Sequence, residues 1–343
     1  MKKCRKDAAT ANPDDKEASL KAVLCVRHGP PEALELAELP DPRPGAGEVL
    51  VDVKAVGLNF FDLLIISNRY QVKPALPFSP GSEFSGVVLT TGEGVRDFKA
   101  GDRVCGTIGY NAAREKLAVA GRDLVLIPDE IDFDRAAGLL VTYGTALHAL
   151  EDRAKLKKGE TLAVLGAAGG VGLASVEVGK ALGARVIACA SSPEKLAFAR
   201  EHGADETIDY SREDLKERLR ELTGGNGADV VMDPVGGPLA EAGLRATAWE
   251  GRYLVVGFAT GEIPKIALNH VLLRGCSIVG VAWGALVRRD PARGTAISKQ
   301  ILRWAREGRL SAHVDKVYPL AQATAALNAI ARREVKGKII LRP

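Results

Sequence analysis

Between Lys21 and about Pro128 the apolar residues come in short β-branched or alternating runs, separated by polar breaks rich in Gly and Pro. Lys21–Arg27, Glu48–Val56, Ser85–Leu89, Arg103–Gly106 and Glu115–Val119 read as strands, where alternate side chains face opposite sides of a sheet. Pro40-Asp41-Pro42-Arg43-Pro44-Gly45 and the stretch from Pro77 to Gly81 read as loops. This part is expected to be antiparallel and partly barrel-like. After Ala136 the pattern changes. Ala137–Leu150 is Ala/Leu-rich and helical. Strand-like runs (Thr161–Leu165, Arg185–Ala190, Glu206–Ile208, Val230–Met232, Arg252–Val256, Cys276–Val281) then alternate with helical ones (Gly172–Leu182, Pro193–His202, Arg212–Leu222, Leu239–Ala246). Such alternation predicts a parallel sheet covered by helices on both faces. From Lys316 to Pro343 the chain is again strand- and turn-like, and is expected to return to the first domain.

The fold class is therefore α/β. The expected division is a disordered tail at 1–19, a mostly-β domain from 20–144 and 300–343, and a parallel-sheet domain at 145–299. Two domains also suit the length of 343 residues. With 46% hydrophobic and 26% charged residues the chain can fill two cores. The net charge of +4 comes from interspersed Lys and Arg, with no basic block after the first few residues. That argues against a nucleic-acid partner and suits a small anionic ligand. No apolar run approaches the ~18 residues of a membrane helix, and the polar start has no apolar segment of a secretory signal. Five cysteines, odd in number and scattered singly, argue against a disulfide framework and for a reducing cytoplasm.

The strand Thr161–Leu165 runs straight into Gly166-Ala167-Ala168-Gly169-Gly170-Val171-Gly172 and then a helix. Glycines let the backbone approach a pyrophosphate closely, and the helix N-terminus offers unpaired N–H groups to it. The end of the next strand selects the dinucleotide. An NAD site commonly carries Asp or Glu there for the ribose 2′-hydroxyl; this chain has Ser191-Ser192-Pro193-Glu194-Lys195. Two hydroxyls and a cation suit a 2′-phosphate, so NADP(H) is expected, with Tyr210 after the following strand placed either to pack on the adenine or to bond the same phosphate. Zinc chemistry would need clustered Cys, His and carboxylate ligands. His28 is the only histidine between Val23 and Ala120, and the five histidines of the chain are widely dispersed, so a metal-free enzyme is expected.

At this point the chain resembles the zinc-independent medium-chain dehydrogenases/reductases, in particular the NADPH:quinone oxidoreductase (zeta-crystallin-like) branch. The residues that carry the resemblance are Gly57-Leu58-Asn59-Phe60-Phe61-Asp62, Pro80-Gly81-Ser82-Glu83-Phe84-Ser85-Gly86 and Lys99-Ala100-Gly101-Asp102-Arg103-Val104. With them go the Gly166–Gly172 turn, Ser191 to Lys195, Asp233-Pro234-Val235-Gly236-Gly237 and Gly337-Lys338-Ile339-Ile340-Leu341. The resemblance implies a GroES-like catalytic domain from both chain ends, a Rossmann domain between them and the nicotinamide in the cleft. It also implies a homodimer joined through an edge strand, here Cys276–Val281. Zinc-dependent relatives place a Cys near Asn59 and a His beside the Gly-x-Glu turn, where this chain has Phe60-Phe61 and Ser82.

Carried over by position, Asn59 and Thr145 would contact the nicotinamide side, and Tyr70 would line the acceptor cleft; these three are the catalytic candidates. Gly169, Gly170 and Val171 would hold the pyrophosphate, and Gly166, Ala168, Val235, Gly257 and Phe258 are further cofactor-binding candidates. Ser191, Ser192, Lys195 and Tyr210 would take the 2′-phosphate, and Arg333 and Lys338 would add cofactor contacts. Some relatives carry a second tyrosine in the Asp62–Ile66 stretch; Leu64 stands there and makes the acceptor wall more apolar. The expected activity is reduction of a quinone by NADPH. Reduction of an activated C=C bond by the same cofactor is the neighbouring alternative, and an NADPH-binding sensor with little turnover is the alternative from another class.

Overall fold

The computed structural model describes residues 19–343 and contains fifteen strands among them. The expected tail lies outside the described residues except for Ser19, which opens the first strand. In chain order the strands are β1 (Ser19–Cys25), β2 (Leu34–Pro40), β3 (Glu48–Leu58), β4 (Glu83–Thr91), β5 (Arg103–Thr107), β6 (Lys116–Ala120) and β7 (Leu124–Leu126). Then come β8 (Thr161–Leu165), β9 (Arg185–Ala190), β10 (Glu206–Asp209), β11 (Ala228–Asp233), β12 (Thr247–Val255), β13 (Ser277–Gly280), β14 (Val314–Pro319) and β15 (Lys338–Arg342).

β1 and β2 form a hairpin-like pair, and a larger sheet runs in the order β14-β15-β3-β4-β5-β7 with β6 also on β3. β15 pairs antiparallel with β3 through Ile339–Leu58 and Leu341–Val56, so the C-terminal strand completes the sheet that the N-terminal part begins. The alternation read from the sequence works as expected: Val49, Val51 and Val53 of β3 point into one core with Phe84, Val88 and Val104.

The second sheet is parallel, in the order β10-β9-β8-β11-β12-β13. Both faces are buried, which explains its continuous apolar strands. Leu162 and Val164 of β8 enter one core while Ala163 and Leu165 enter the other, and Val186/Ile187 and Val230/Val231 divide in the same way. The strand order reverses between β8 and β11, and in such sheets ligands bind outside the carboxyl ends of the strands at that point. The glycine turn follows β8 there, and the Asp233–Gly237 loop follows β11.

The expected junctions at 144/145 and 299/300 fall inside the helices Thr142–Leu147 and Pro291–Arg306. Ala146, Leu147, Ile297 and Ile301 of these helices share one core with the parallel sheet. The single helix read at Ala137–Leu150 is three pieces, Phe133–Ala137, Thr142–Leu147 and a wider π turn His148–Arg153, because Gly138 ends the first. The C-terminal stretch contains a helix, Ala323–Ala331, between its two strands. Among the described residues no helix is long and apolar enough to cross a membrane.

Candidate active site

The glycine turn begins with Gly166 in the left-handed region (φ 63°), where a side chain would strike Val235 at 2.7 Å. Gly166 O accepts from Gly169 N (3.0 Å), and Gly169 is the N-cap of the helix Gly170–Ala181. Gly170 sits against Thr142 and Gly337, and half-buried Val171 follows it. The Ala168 methyl is buried beside Leu173 and Phe198, while its carbonyl accepts from Gly337 N (2.9 Å). The turn is thus braced from the opposite sheet, and Gly169 forms a parallel bridge to Gly337. Asp233 shapes the facing loop: its Oδ1 accepts from Val235 N and Gly236 N, both at 2.8 Å, and its Oδ2 from the Tyr253 hydroxyl. Phe258 packs over Gly236 and Gly257 faces Pro234, so Val235, Gly257 and Phe258 form one wall beside the turn.

At the end of β9, Ser191 is exposed; burial raises the Tyr210 phenol, and Ser191 and Arg333 are among the groups that pull it down. Ser192 is the N-cap of the helix Pro193–Glu201, with its Oγ accepting from Lys195 N (3.3 Å). Its hydroxyl hydrogen stays available to donate to a ligand. Lys195 Nζ donates to Arg333 O (3.0 Å), and Arg333 reaches Ala259 O (3.3 Å) from a left-handed backbone (φ 58°). Glu194, the discordant acid of this segment, is paired with Lys336 (2.8 Å). Among the described residues neither Lys195 nor Arg333 has a carboxylate partner within salt-bridge distance.

On the opposite side, Asn59 lies where β3 runs into the helix Phe60–Ile66, and Thr145 lies in the helix Thr142–Leu147; both are nearly buried. Tyr70 is half-buried and stacked on Phe61, with ring centres 5.4 Å apart. Trp283 is buried against Gly144, where a side chain on residue 144 would meet its ring at 2.6 Å, and it backs the Thr145 helix. Leu64 is half-buried.

Lys338 is corrected by the structure. The expectation made it a cofactor contact, but its buried ammonium donates to Leu58 O (2.8 Å), Asn59 Oδ1 (2.7 Å) and Glu83 Oε1 (2.7 Å). All three of its hydrogens are spent inside the protein, leaving none for a phosphate. Its stem packs against Gly138 and lies near Gly170. Glu83 and Asp62 were quoted in the motifs without a role, and both turn out to be buried beside Asn59. Asp62 accepts from Asn59 N (2.7 Å) and Gly81 N (3.0 Å), which holds the two loop ends together.

Burial pushes the Asp62 carboxyl up to about 7, against the pull of these two N–H groups and Lys338, while Glu83 adds to the rise. An acid whose pKa is higher folded than unfolded stabilises the fold most below its unfolded value and loses that contribution as pH rises through the folded one. About three pKa units correspond to on the order of 4 kcal/mol, lost between about pH 4 and pH 7. Asp62→Asn abolishes this slope, so the variant is expected to compare worst with the parent at pH 4.5 and better at pH 8. Denaturant melts of both proteins across that range check this; a stability difference independent of pH would refute it.

Residues 45–129 match the family described as alcohol dehydrogenase GroES-like domain, and residues 170–298 match that described as zinc-binding dehydrogenase. The quinone oxidoreductase-like protein 2 of Bos taurus is 40% identical over 324 residues, which cover 94% of this chain and 92% of that one. The chain belongs to the quinone oxidoreductase-like medium-chain dehydrogenase/reductase family. Within this family the solved Escherichia coli quinone oxidoreductase, complexed with NADPH, superposes with a TM-score of 0.87 at 30% identity, covering 95% of this chain and all of that one. A structure described as CurK enoyl reductase superposes with a TM-score of 0.85 at 26% identity, covering 94% and 99% of the two chains. Among the described residues of this medium-chain reductase, no group of three or more His, Cys, Asp or Glu side chains could hold a metal ion.

Proposed function

We propose that this medium-chain reductase binds NADPH at the glycine turn and uses it to reduce small quinones in the cleft between the two sheets. The observation that carries the reading is the pairing of Lys195 with Arg333 beside Ser191 and Tyr210, at a strand end without a free acid. The glycine turn fits the cofactor because Gly169 has only open space and one ordinary contact where a Cβ would stand, leaving its backbone approachable. We assign the pyrophosphate to Gly166, Ala168, Gly169, Gly170 and Val171, and the 2′-phosphate to Ser191, Ser192, Lys195, Tyr210 and Arg333. Val235, Gly257 and Phe258 would flank the nicotinamide half. We assign the division of labour as at 20–144 with 300–343 for the acceptor side and 145–299 for the cofactor, the junctions lying in shared helices.

Bound NADPH would supply the hydride. The protein's part is to hold the ring with Asn59 and Thr145, to present the acceptor with the stacked Phe61–Tyr70 pair, and to exclude water. Burial raises the Tyr70 phenol and Arg288 lowers it, with burial the larger effect, so Tyr70 keeps its proton at neutral pH and can offer it to an acceptor oxygen. Solvent serves equally for a quinone. The likeness to an enoyl reductase supports a second reading, reduction of an activated C=C bond by the same machinery. Following NADPH absorbance with a quinone and with an α,β-unsaturated ketone or thioester separates the two. Binding of NADPH without oxidation across both acceptor classes would instead favour a sensor. The four described cysteines are free and buried, which supports a cytoplasmic setting.

We also propose a homodimer formed through the β13 edge. Among the described residues β13 pairs only with β12, and Trp249, Leu268, Leu272, Leu273 and Ile278 are exposed around it, with Leu272 at 78%. Contiguous apolar surface beside an open strand edge is a recognised place for association. Leu272→Glu combined with Ile278→Asp is expected to give a monomer in light-scattering chromatography where the parent elutes as a dimer. A parent that is itself monomeric at micromolar concentration would remove this proposal.

A further inference from the structure

We propose that Glu83, held in place by Lys338, is a positioning residue that sets Asn59 against Thr145 for the reaction. The inference rests on the reading that the nicotinamide lies between those two residues. Glu83 opens β4 with its carboxylate almost wholly buried, at 1% exposure. Its Oε1 accepts from Asn59 Nδ2 (3.0 Å) and Lys338 Nζ (2.7 Å), and its Oε2 accepts from Val141 N (2.9 Å). Val141 precedes the helix that carries Thr145, and its carbonyl accepts from Thr145 N (3.0 Å). One carboxylate therefore ties the end of β3 to the first turn of that helix.

The neighbours make the clamp rigid. Lys338 takes Asn59 Oδ1 and Leu58 O in addition to Glu83, and Asn59 Nδ2 also points at Ser82 Oγ (3.4 Å). The Asn59 carboxamide thus has its hydrogens directed inwards, toward Glu83 and Ser82. Space for the carboxylate is made by Gly57, where a Cβ would meet Glu83 Oε1 at 2.9 Å and Ala137 O at 2.1 Å. A buried ion pair is weak evidence for stability, since a neutral pair of similar size often serves the fold as well. Here the pair instead specifies the orientation of a group that faces the reaction.

The test uses Glu83→Gln, which keeps the shape but cannot accept from Val141 and from both Asn59 and Lys338. It is expected to lower kcat about 100-fold, the scale of a misplaced reacting group, with NADPH affinity by fluorescence titration unchanged. Because a lone buried Lys338 cation destabilises the fold, Glu83→Gln is repeated with Lys338→Met. The double variant is expected to regain the parental melting temperature and remain slow. In an Asn59→Ala background, Glu83→Gln is expected to cost little more, since the two act through one contact. Recovery of both melting temperature and kcat in the double variant would overturn the inference, as would loss of NADPH affinity in step with kcat. Glu83 variants that do not fold at all would assign the carboxylate to stability and overturn it too. If the parent oxidises NADPH with neither acceptor class, the underlying functional reading has failed; if the parent turns over and Glu83→Gln matches it, only the positioning role has.

Discussion

Gly172→Ala is expected to raise the dissociation constant for NADPH by about 100-fold or more, a loss near 3 kcal/mol. A Cβ on residue 172 would stand 2.1 Å from Gly166 O, 2.8 Å from Gly166 C and 2.9 Å from Ala167 Cα. Every one of these atoms is backbone, so no side chain can swing aside, and the turn itself must open. Opening it displaces the carbonyl that accepts from Gly169 N and re-aims the first N–H groups of the helix Gly170–Ala181. A lower melting temperature should accompany the weaker binding. Gly169→Ala is the informative companion, because its Cβ would meet only Gly166 O, at an ordinary 3.5 Å. It should fold with a parental melting temperature, and any loss of NADPH affinity then reports a clash with the cofactor itself. Parental affinity in both variants would refute the assignment of the turn to the pyrophosphate.

The legible parts of this chain are those where local pattern and long-range packing agree. β8 and the glycine turn could be read because a doubly buried strand is apolar throughout and the turn's conformations require glycine. The acid-free end of β9 was legible because charge type at one position is visible without structure. The helix Ala323–Ala331 was not, since Thr-Ala-Ala-Leu-Asn-Ala between two strand-like runs has no strong polar face or cap to announce it. Lys338 was misread for a different reason. A lysine next to the glycine that braces the phosphate turn has the sequence context of an anion contact, and only the pairing of β15 with β3 shows its head buried against Asn59 and Glu83. Glu83 itself stood in a quoted motif, but its partners lie 24, 58 and 255 positions away, beyond any local rule. Ser192 combines both lessons: Ser-Pro-Glu is a helix-start signal, and the hydroxyl read as a ligand is first of all a cap.

Removing both cations at the end of β9 should invert the cofactor preference. Lys195→Ala and Arg333→Gly are each expected to lower kcat/KM for NADPH about 10-fold or more, since a hydrogen bond to a charged group contributes about 1.5–3 kcal/mol. Rates with NADH, which carries no 2′-phosphate, should hardly change. Glycine is the right replacement at 333 because that residue follows the C-cap of the helix Ala323–Ala331 with φ at 58°, a position that favours glycine. An arginine there is held in a costly conformation, so Arg333→Gly should raise the melting temperature while weakening NADPH binding. A merely structural residue cannot produce that opposition of effects. The two losses are not expected to add fully, because Lys195 Nζ donates to the backbone carbonyl of Arg333, so Lys195→Ala also loosens the segment that carries the Arg333 side chain. Ser191→Asp should then complete the switch, placing an acid where the ribose 2′-hydroxyl of NADH would meet it and where a phosphate would be repelled. The ratio of kcat/KM for NADPH and NADH across the parent and these variants measures the whole argument. Equal rates with the two cofactors in the parent would overturn the role given to Ser191, Lys195, Tyr210 and Arg333.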